Sequence, residues 1–423
     1  MAKARFDYVE AAKLVEVKDL CEWFPVKRTI ADSILKRPVR YVKAVDHVSL
    51  DIFEGECLGL VGESGCGKST LARTIIRLYK PTSGEIRLEG TDIATLNDKA
   101  LRPLRPKMQM IFQDPYSSLN PHMSVRAIIG ELLAYHKVVP RDQINARVEE
   151  LMRMCGLSAD YADRYPGEFS GGQQQRVGIA RALALQPKFI IADEPVSALD
   201  VSIPAQIINL LGDLQKQLGL TILFISHDLR VVRHITHRVA VMYLGSVMEL
   251  GPTEEIFEQP FHPYTSVLTK AAPVMNPLNR SREYVIEGET PSPINMPSGC
   301  RFHPRCPYCT ERCKTETPQL LYEVIYKVFS GLMKHGAHRF IALNGHGPNT
   351  GPIERAALEL RRRGASLACL NWWRYAVSGA DEDHAGLSCA RCAPLRGAQR
   401  ARRQHSCAGS GGAGLAATGL YAG

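Results

Sequence analysis

The residues best suited to chemistry in this sequence form a glycine-rich run that fits the phosphate-binding pattern G-x-x-x-x-G-K-[ST]. They are Gly62, Glu63, Ser64, Gly65, Cys66, Gly67, Lys68, Ser69 and Thr70. Glycines let the backbone approach phosphate oxygens without a Cβ in the way. Backbone N–H groups and a helix N-terminus then attract the anion, while Lys68 adds positive charge and Ser69 offers its hydroxyl to Mg²⁺. The run predicts a site for a phosphate chain with its magnesium ion.

The residues around this loop give it the strand-to-helix setting that the pattern requires. The apolar run 57–61 predicts a strand, and a helical pattern begins at Thr70. Alternation of apolar and polar residues from 13 to 60 predicts an antiparallel edge sheet with a hairpin at residues 54–56. Phe24 and Tyr41 lie near this sheet, and two roles are open for each: stacking on a purine ring or packing in the core.

Three further apolar runs predict buried strands, and polar residues lie at or just after the end of each. The runs are 108–113, 189–194 and 221–226, and the polar residues are Gln113, Asp193, Glu194 and His227. Charged groups cannot stay inside a buried parallel sheet, so we expect them at its carboxyl edge near the phosphates. Adjacent strand residues point to opposite sides. Asp193 can then reach Mg²⁺ through water while Glu194 orients a hydrolytic water, and His227 is a candidate γ-phosphate contact.

A second glycine motif precedes the helical run 177–185. Its residues are Ser170, Gly171, Gly172 and Gln173. The N-terminus of a helix attracts anions, so this motif is a second candidate anion site. Before it, residues 125–156 predict two amphipathic helices.

Composition and charge limit the classes of protein to which the chain could belong. The chain has 423 residues, 45% of them hydrophobic, which is enough for sizeable cores. With no run of 18 apolar residues and no signal-peptide pattern, we expect a soluble, cytoplasmic chain. The net charge is +9, but residues 326–423 hold 13 basic and 5 acidic residues, which leaves about +1 for the rest. This distribution argues against a nucleic-acid partner.

The order of these motifs resembles the nucleotide-binding subunit of an ATP-binding-cassette (ABC) transporter over about residues 13–320. Phe169 stands where that family's signature usually begins with Leu, and we expect it to pack rather than bind. The loop 113–121 and the runs 260–265, 291–293 and 299–307 are similar to the dipeptide and oligopeptide permease ATPases of the peptide and nickel branch.

The resemblance implies an α/β fold, a P-loop ABC ATPase with a mixed core sheet, an antiparallel edge sheet, a helical subdomain and a small C-terminal extension. It places a nucleotide-binding domain at 13–255, with the helical subdomain at about 114–165, and the extension at 256–321. ATP with Mg²⁺ is held by one domain and capped by residues 170–173 of a second domain, closed head to tail. The implied roles are Glu194 as general base, His227 on the γ-phosphate, Gln113 as sensor of metal and water, and Asp200 across the interface.

Partners and location follow from the same resemblance. It implies an ATPase that energises import of dipeptides or oligopeptides as a peripheral protein on the cytoplasmic face of the inner membrane. Two transmembrane permease subunits, a sister ATPase forming a heterodimer, and an extracytoplasmic solute-binding protein would complete the system. Three alternatives stay open: the same role for nickel or another small solute, a soluble ABC ATPase acting on nucleic acid or ribosomes, and a bifunctional hydrolase.

Four clustered cysteines suggest a metal site, since thiolates at close spacing bind metals in cytosolic proteins. They are Cys300, Cys306, Cys309 and Cys313. Such a set can hold zinc or an iron–sulfur cluster. Some relatives resemble iron–sulfur proteins here, which implies a [4Fe–4S] cluster, although their usual pattern has no cysteine at the position of Cys309. The alternative is a reduced, partly buried cysteine cap.

The chain changes character after Leu321, and we expect residues 322–423 to be a non-native fusion or a disordered tail. Residues 327–386 resemble an internal fragment of a creatininase-family amidohydrolase, with His346 at a metal-ligand position, a helix at 353–363 and a strand ending at 370–373. That family's earlier metal ligands would lie upstream, where this chain holds the ATPase motifs. We therefore expect no amidohydrolase activity from this segment, and poor order because so short a unit buries few apolar faces.

Overall fold

Runs of apolar residues form the strands that organise the chain. The computed structural model describes residue 6 and residues 11–28, 34–35, 38–196, 203–271, 288–316, 339–344 and 366–371. The strands are β1 (Lys13–Pro25), β2 (Tyr41–Phe53), β3 (Cys57–Val61), β4 (Ser83–Leu88), β5 (Thr91–Asp92), β6 (Met108–Ile111), β7 (Phe189–Asp193), β8 (Thr221–Ile225), β9 (Arg238–Tyr243), β10 (Ser246–Pro252), β11 (Arg339–Asn344) and β12 (Ser366–Asn371). Asp200, His346 and the predicted helix at 353–363 lie outside the described residues.

Helices connect and cover these strands. They are α1 (Lys68–Ile75), α2 (Asp98–Leu101), α3 (Pro115–Ser118), α4 (Val125–Tyr135), α5 (Ile144–Met154), α6 (Gly171–Leu183), α7 (Ile203–Leu218), α8 (Leu229–Ile235), α9 (Thr253–Glu258), α10 (Pro263–Lys270) and α11 (Glu311–Thr315). The amphipathic helices predicted within 125–156 are α4 and α5. Ser124 caps α4, since its side chain accepts a hydrogen bond from the Ala127 N–H.

Two sheets carry the ATPase motifs. The first is antiparallel, in the order β2-β1-β4-β5, and the second is mixed, in the order β10-β9-β3-β8-β7-β6. In the mixed sheet β9, β3, β8, β7 and β6 run parallel, and β10 pairs antiparallel with β9. The expected α/β fold with a mixed core sheet and an antiparallel edge sheet is therefore confirmed. Strands β11 and β12 form a separate parallel pair, in register from Arg339 with Ser366 to Asn344 with Asn371.

The predicted hairpin at residues 54–56 is wrong. This turn joins the two sheets, because β2 pairs with β1 whereas β3 pairs with β8 and β9. All five residues of β3 are buried, so the strand belongs between parallel neighbours and cannot fold back on β2. The true partner of β2 is reached through the residues between Pro25 and Tyr41.

The mixed sheet is covered on both faces. In β7, Phe189 and Ile191 pack into one apolar cluster with α1 and the antiparallel sheet, while Ile190 and Ala192 pack into a second cluster with the helices α4 to α7. Successive strand residues point to opposite faces, so the interior positions of β7 and β8 are apolar on both faces. The polar residues of these two strands, Asp193 and Thr221, consequently lie at strand ends.

A buried ion pair fixes the turn that joins the two sheets. Glu56 is 0% exposed, and Arg238 donates from Nε to its Oε1 (2.6 Å) and from Nη2 to its Oε2 (3.0 Å). The same Arg238 Nη2 donates to the Asp51 carbonyl oxygen at 2.6 Å, and the Phe53 N–H donates to Glu56 Oε2 at 2.9 Å. A carboxylate with this many donors is stable in the interior only while all of them remain.

We predict that Arg238→Met destabilises the protein by about 3–5 kcal/mol, because it leaves the Glu56 charge buried without its partner. Urea unfolding followed by circular dichroism measures the change. The double variant Glu56→Leu with Arg238→Met should recover more than half of the loss. The control is Arg312→Ala, which removes an exposed pair with Glu316 and should cost less than about 1 kcal/mol. Equal shifts for Arg238→Met and Arg312→Ala would contradict this account.

Candidate functional site

The glycine-rich loop has the backbone shape that its glycines permit. Gly62 has φ +154° and Gly67 has φ +107°, and a Cβ would lie 2.1 Å from the Met242 carbonyl oxygen at Gly62 and 2.0 Å from the Ala44 carbonyl oxygen at Gly67. Only glycine fits such close approaches. Helix α1 begins at Lys68, two residues before the predicted start, with Gly67 as its N-cap. The loop thus ends on a helix N-terminus, where anions are favoured.

Lys68 is buried inside this loop, with 6% of its surface exposed. Its Nζ donates to the carbonyl oxygens of Gly62 and Glu63, each at 2.9 Å. Cys66 is a buried residue of the loop, and burial raises the pKa of its thiol. Ser64 and Gly65 are exposed at the loop tip, and Ser69 and Thr70 are half-buried in the first turn of α1.

Ser69 and Asp193 connect the loop to the end of β7. The Ser69 hydroxyl donates to Asp193 Oδ1 at 2.8 Å, and Asp193 Oδ2 lies 3.6 Å from Arg73 Nη2. Oδ2 is buried and accepts no hydrogen bond from the described residues. Burial raises the pKa of Asp193, although the Ser69 hydrogen bond and the Arg73 charge act against that rise. A hydroxyl beside a buried carboxylate oxygen with spare acceptor capacity fits the oxygen donors that Mg²⁺ prefers.

Glu194 lies next to the other polar residues predicted at the sheet edge. Gln113 Nε2 donates to Glu194 Oε2 at 2.9 Å, and His227 Nδ1 lies 3.5 Å from the same oxygen. Glu194 has φ +45°, which is rare for a residue with a side chain, and its N–H donates to the Ile225 carbonyl oxygen. Backbone strain of this kind concentrates at functional sites. The side chains that meet at Glu194 come from the ends of β6, β7 and β8.

The second glycine motif caps α6, which begins six residues earlier than the predicted helical run. The Ser170 hydroxyl accepts from the Gln173 N–H, and Gln173 Oε1 accepts from the Ser170 N–H at 3.0 Å. In the first turn of a helix, N–H groups have no partner within the helix, so those of Gly171 and Gly172 are available to a ligand. Phe169 is buried and its ring lies edge-on to Tyr161, as a packing residue should.

The two aromatic candidates differ in their surroundings. The Phe24 ring lies edge-on to Tyr79, with centroids 5.6 Å apart, whereas Tyr41 is 42% exposed and its ring centroid lies 6.4 Å from that of Trp23. Stacking on a purine remains a prediction for both. Asp200 lies outside the described residues, so its predicted role also stays a prediction.

Residues that sequence reasoning did not assign to the site contact the loop from the C-terminal extension. Arg305 Nη1 donates to both carboxylate oxygens of Glu63 (2.8 and 3.1 Å), and Thr290 Oγ1 donates to Glu63 Oε2 at 3.0 Å. The Glu63 N–H donates to the Tyr264 hydroxyl oxygen at 3.0 Å. The available signal was the position of Arg305 and Tyr264 in runs noted only for their likeness to peptide permease ATPases.

The four clustered cysteines lie in the same extension. Cys300 is buried and its Sγ is 3.7 Å from His262 Nε2, while the Cys313 Sγ is 3.3 Å from Thr310 Oγ1. Burial raises the pKa of Cys306, and the neighbouring charges of Cys300, Cys313 and Cys309 raise it further. Thiols are the right donor type for a thiolate-bound metal group. The described residues do not bring these four together as a preformed site, because the one group of three or more ligand atoms within 4.8 Å of one another is formed elsewhere.

One group of clustered metal-ligand atoms occurs in the part of the chain that the structure describes. Atoms of Cys21, Asp46 and His47 come within 4.8 Å of one another. Asp46, however, accepts from Trp23 Nε1 at 2.8 Å and from Arg301 Nη2. Its carboxylate is thus already engaged by a cation and an indole N–H, which makes it a structural residue.

The loop, the Ser69–Asp193 pair and the polar cluster at Glu194 define a P-loop nucleotide-binding protein of the ATP-binding-cassette class. Residues 45–197 match the family model described as ABC transporter, and residues 248–313 match that of the oligopeptide/dipeptide transporter C-terminal region. Residues 299–403 match the model of creatinine amidohydrolase, which confirms the expected likeness and extends it beyond 327–386 on both sides.

Curated relatives make the assignment more specific. The oligopeptide transport ATP-binding protein AppF of Bacillus subtilis is 52% identical over 309 residues, covering 72% of this chain and 93% of the relative. OppF of Salmonella typhimurium, another oligopeptide transport ATP-binding protein, is 50% identical over 73% of this chain and 92% of its own length. This chain belongs to the family of oligopeptide transport ATP-binding proteins of ABC transporters.

Solved structures agree with this family. A dimeric ATP-binding cassette in a post-hydrolysis state, bound to ADP and Pi, is 31% identical, with a TM-score of 0.50 over 56% of this chain and 98% of that one. CbiO1 of Clostridium perfringens, part of an ABC transporter complex, is 30% identical, with a TM-score of 0.50 over 58% of this chain and 91% of that one. The ABC ATPase domain implies in general that the chain binds ATP and Mg²⁺. Within the described residues, no helix has both the length and the apolar character of a membrane span.

We predict that Glu194→Gln lowers the rate of ATP hydrolysis by about 10²–10⁴-fold while leaving ATP binding intact, because an amide cannot accept the proton of the attacking water. The variant should accumulate as an ATP-bound dimer, which size-exclusion chromatography with ATP detects. The control is Glu85→Gln, which changes an exposed carboxylate in β4. Normal hydrolysis by Glu194→Gln, or a failure to form the dimer, would count against this role.

Proposed function

We propose that this chain is the ATP-hydrolysing subunit that energises import of dipeptides or oligopeptides through a membrane ABC permease. The observation that carries the proposal is the cluster at Glu194. One carboxylate oxygen meets both Gln113 and His227 at the sheet edge where Ser69 pairs with Asp193. The likeness of residues 248–313 to the C-terminal region of oligopeptide and dipeptide transporters supports the solute class.

In this proposal Glu194 is the general base for the attacking water. Its Oε2 is fixed by the Gln113 amide and approached by His227, so the carboxylate is oriented before substrate arrives. His227 is 65% exposed at its side chain and is free to meet the γ-phosphate. Ser69 and Asp193 would hold Mg²⁺. Gln113, whose amide contacts Glu194, would sense the ion and the attacking water. When bound there, Mg²⁺ would supply positive charge to the phosphate chain.

Each ATP site would be completed by a second ATPase. Lys68 and Ser69 hold ATP in one subunit, and the N-terminus of α6 in the other offers the N–H groups of Gly171 and Gly172 to the γ-phosphate. Asp200 would cross the same interface. ATP binding then closes the head-to-tail dimer, and hydrolysis reopens it. The helical segment at about 114–165 would transmit this motion to the permease.

The remaining assembly follows from the import role. Two transmembrane permease subunits, a sister ATPase subunit and an extracytoplasmic solute-binding protein would surround this chain at the cytoplasmic face of the inner membrane. We assign residues 13–255 to the nucleotide-binding domain and 256–321 to the extension. Residues 322–423 form a non-native tail without amidohydrolase activity, since the family's upstream metal ligands are replaced by ATPase motifs.

We also propose that the four cysteines of the extension hold a [4Fe–4S] cluster, for which four thiolates are the usual ligands. Protein purified without oxygen should then contain about four iron atoms per chain and absorb in the visible range. Cys300→Ser should abolish both signals. Cys155→Ala is the matched control, because burial raises the pKa of Cys155 to about 12 and it lies outside the cluster. Absence of iron in the unaltered chain would favour the reduced cysteine cap.

The import role is tested by growth of a peptide-auxotrophic strain that lacks its own permease ATPase. We expect a gene truncated after residue 321 to restore growth on a dipeptide, because the truncated product keeps the whole ATPase and its extension. The full-length gene should restore growth less well, since the tail of 102 residues, from 322 to 423, should hinder assembly with the permease. Lys68→Ala in the truncated gene is the control and should restore nothing.

The outcomes distinguish an incorrect solute assignment from an incorrect ATPase assignment. If neither form restores growth while the purified protein hydrolyses ATP, peptides are the wrong solute, and uptake of nickel or another small solute becomes the next assay. If the purified protein also fails to hydrolyse ATP, the ATPase role itself is contradicted. Equal rescue by the full-length and truncated genes would show that the tail is harmless.

A further inference from the structure

The second residue of the phosphate-binding loop carries a negative charge. Glu63 follows Gly62 directly, and its carbonyl oxygen accepts a hydrogen bond from the Lys68 ammonium group at 2.9 Å. ATP brings several negative charges to this loop. An uncompensated carboxylate here would repel the triphosphate, since charges of like sign within a few ångströms oppose each other strongly at a partly buried site.

The structure compensates this charge from the C-terminal extension. Arg305 donates from one guanidinium nitrogen to both carboxylate oxygens of Glu63, and Thr290 donates to the same carboxylate. The Arg305 side chain is only 8% exposed and also donates to the Tyr243 hydroxyl oxygen at 3.4 Å. Such a pair is screened little by solvent, so the charge of Glu63 is neutralised and its side chain is fixed.

The main chain of Glu63 is fixed as well. Its N–H donates to the hydroxyl of Tyr264, which is 0% exposed and lies against the Met242 carbonyl group. The rings of Tyr243, Tyr264 and Phe302 pack together with centroids 4.7 to 5.5 Å apart. This aromatic cluster holds the extension against the end of β9, and Arg305 and Tyr264 both contact the loop from this cluster.

We propose that Arg305 is a positioning residue for ATP: by pairing with Glu63 it removes a repulsive charge and sets the shape of the phosphate-binding loop. Tyr264 acts with it by holding the Glu63 N–H. The inference rests on the proposed ATPase function and deepens it, because it makes the extension part of the nucleotide site. Arg305 acts on ATP through Glu63 rather than by contact with the phosphates.

The test measures ATP affinity and hydrolysis in the full-length protein. We expect Arg305→Ala to weaken binding of a fluorescent ATP analogue and to raise KM for ATP by about tenfold, a change of about 1.4 kcal/mol. The kcat at saturating ATP should change less than about twofold, because Glu194 and its partners are untouched.

The decisive variant removes the charge that Arg305 neutralises. Glu63→Gln combined with Arg305→Ala should bind ATP within about twofold of Glu63→Gln alone, since no carboxylate remains to repel phosphate. A merely structural role for Arg305 would leave the double variant as weak as Arg305→Ala, and that result would overturn the proposal. Arg312→Ala, an exposed arginine of the same extension that pairs with Glu316, is the matched control and should bind ATP normally.

If Arg305→Ala does not fold, Arg305→Lys and Arg305→Gln replace it, because they have similar sizes but differ in charge. Lysine should retain most of the affinity and glutamine should lose it, and equal affinities would refute the charge argument. Lys68→Ala separates this question from the proposed function. ATP binding that depends on Lys68 but not on Arg305 overturns only this inference, whereas no ATP binding by the unaltered chain overturns both.

Discussion

The exclusion of charge from a sheet that is buried on both faces determines where the chemistry of this protein lies. Strands β3, β8, β7 and β6 run parallel, so their carboxyl ends meet at one edge. Ionised side chains cannot be solvated between the two apolar clusters that cover β7 and β8, so the polar groups of these two strands lie at or beyond the strand ends. Gln113, Glu194 and His227 come together there because three different strands end together.

The same constraint explains how much of the site could be predicted. The continuous apolar run 57–61 predicted β3 with its observed bounds. The polar residues after the other apolar runs predicted the cluster at Glu194. The hairpin at residues 54–56 was wrong because its turn chemistry suited a hairpin, while the burial of β3 depends on β8 and β9, more than 160 residues away. Strands β9 and β10 received no assignment from the sequence.

Contacts between segments that are distant in sequence could not be predicted from residue spacing. Arg305 and Glu63 are separated by 242 positions, and Tyr264 and Glu63 by 201. Local sequence patterns predict which residues share a face of a helix or strand. An ion pair between residues so far apart in sequence depends on the complete tertiary packing. The runs around Tyr264 and Arg305 were recognised by their likeness to a family, and only the three-dimensional structure links them to the phosphate-binding loop.

The aromatic cluster at the end of β9 gives the extension and the ATPase a common core. Tyr243, Tyr264 and Phe302 are each 0% exposed and belong to the apolar cluster that also includes β3 and β7. Full burial of a large side chain stabilises a protein by about 1.5–3 kcal/mol. Since the three rings bury one another, the extension is an integral part of the ATPase.

This arrangement also sets a limit on gene rearrangement. In the part of the chain that the structure describes, the residues of the extension that form hydrogen bonds with Glu63 are Tyr264, Thr290 and Arg305. A recombination breakpoint between Glu63 and Arg305 separates Glu63 from its counter-charge, whereas one after residue 316 keeps all three partners of Glu63 in the same reading frame. The partners of Glu63 therefore tolerate any sequence on the C-terminal side of this boundary.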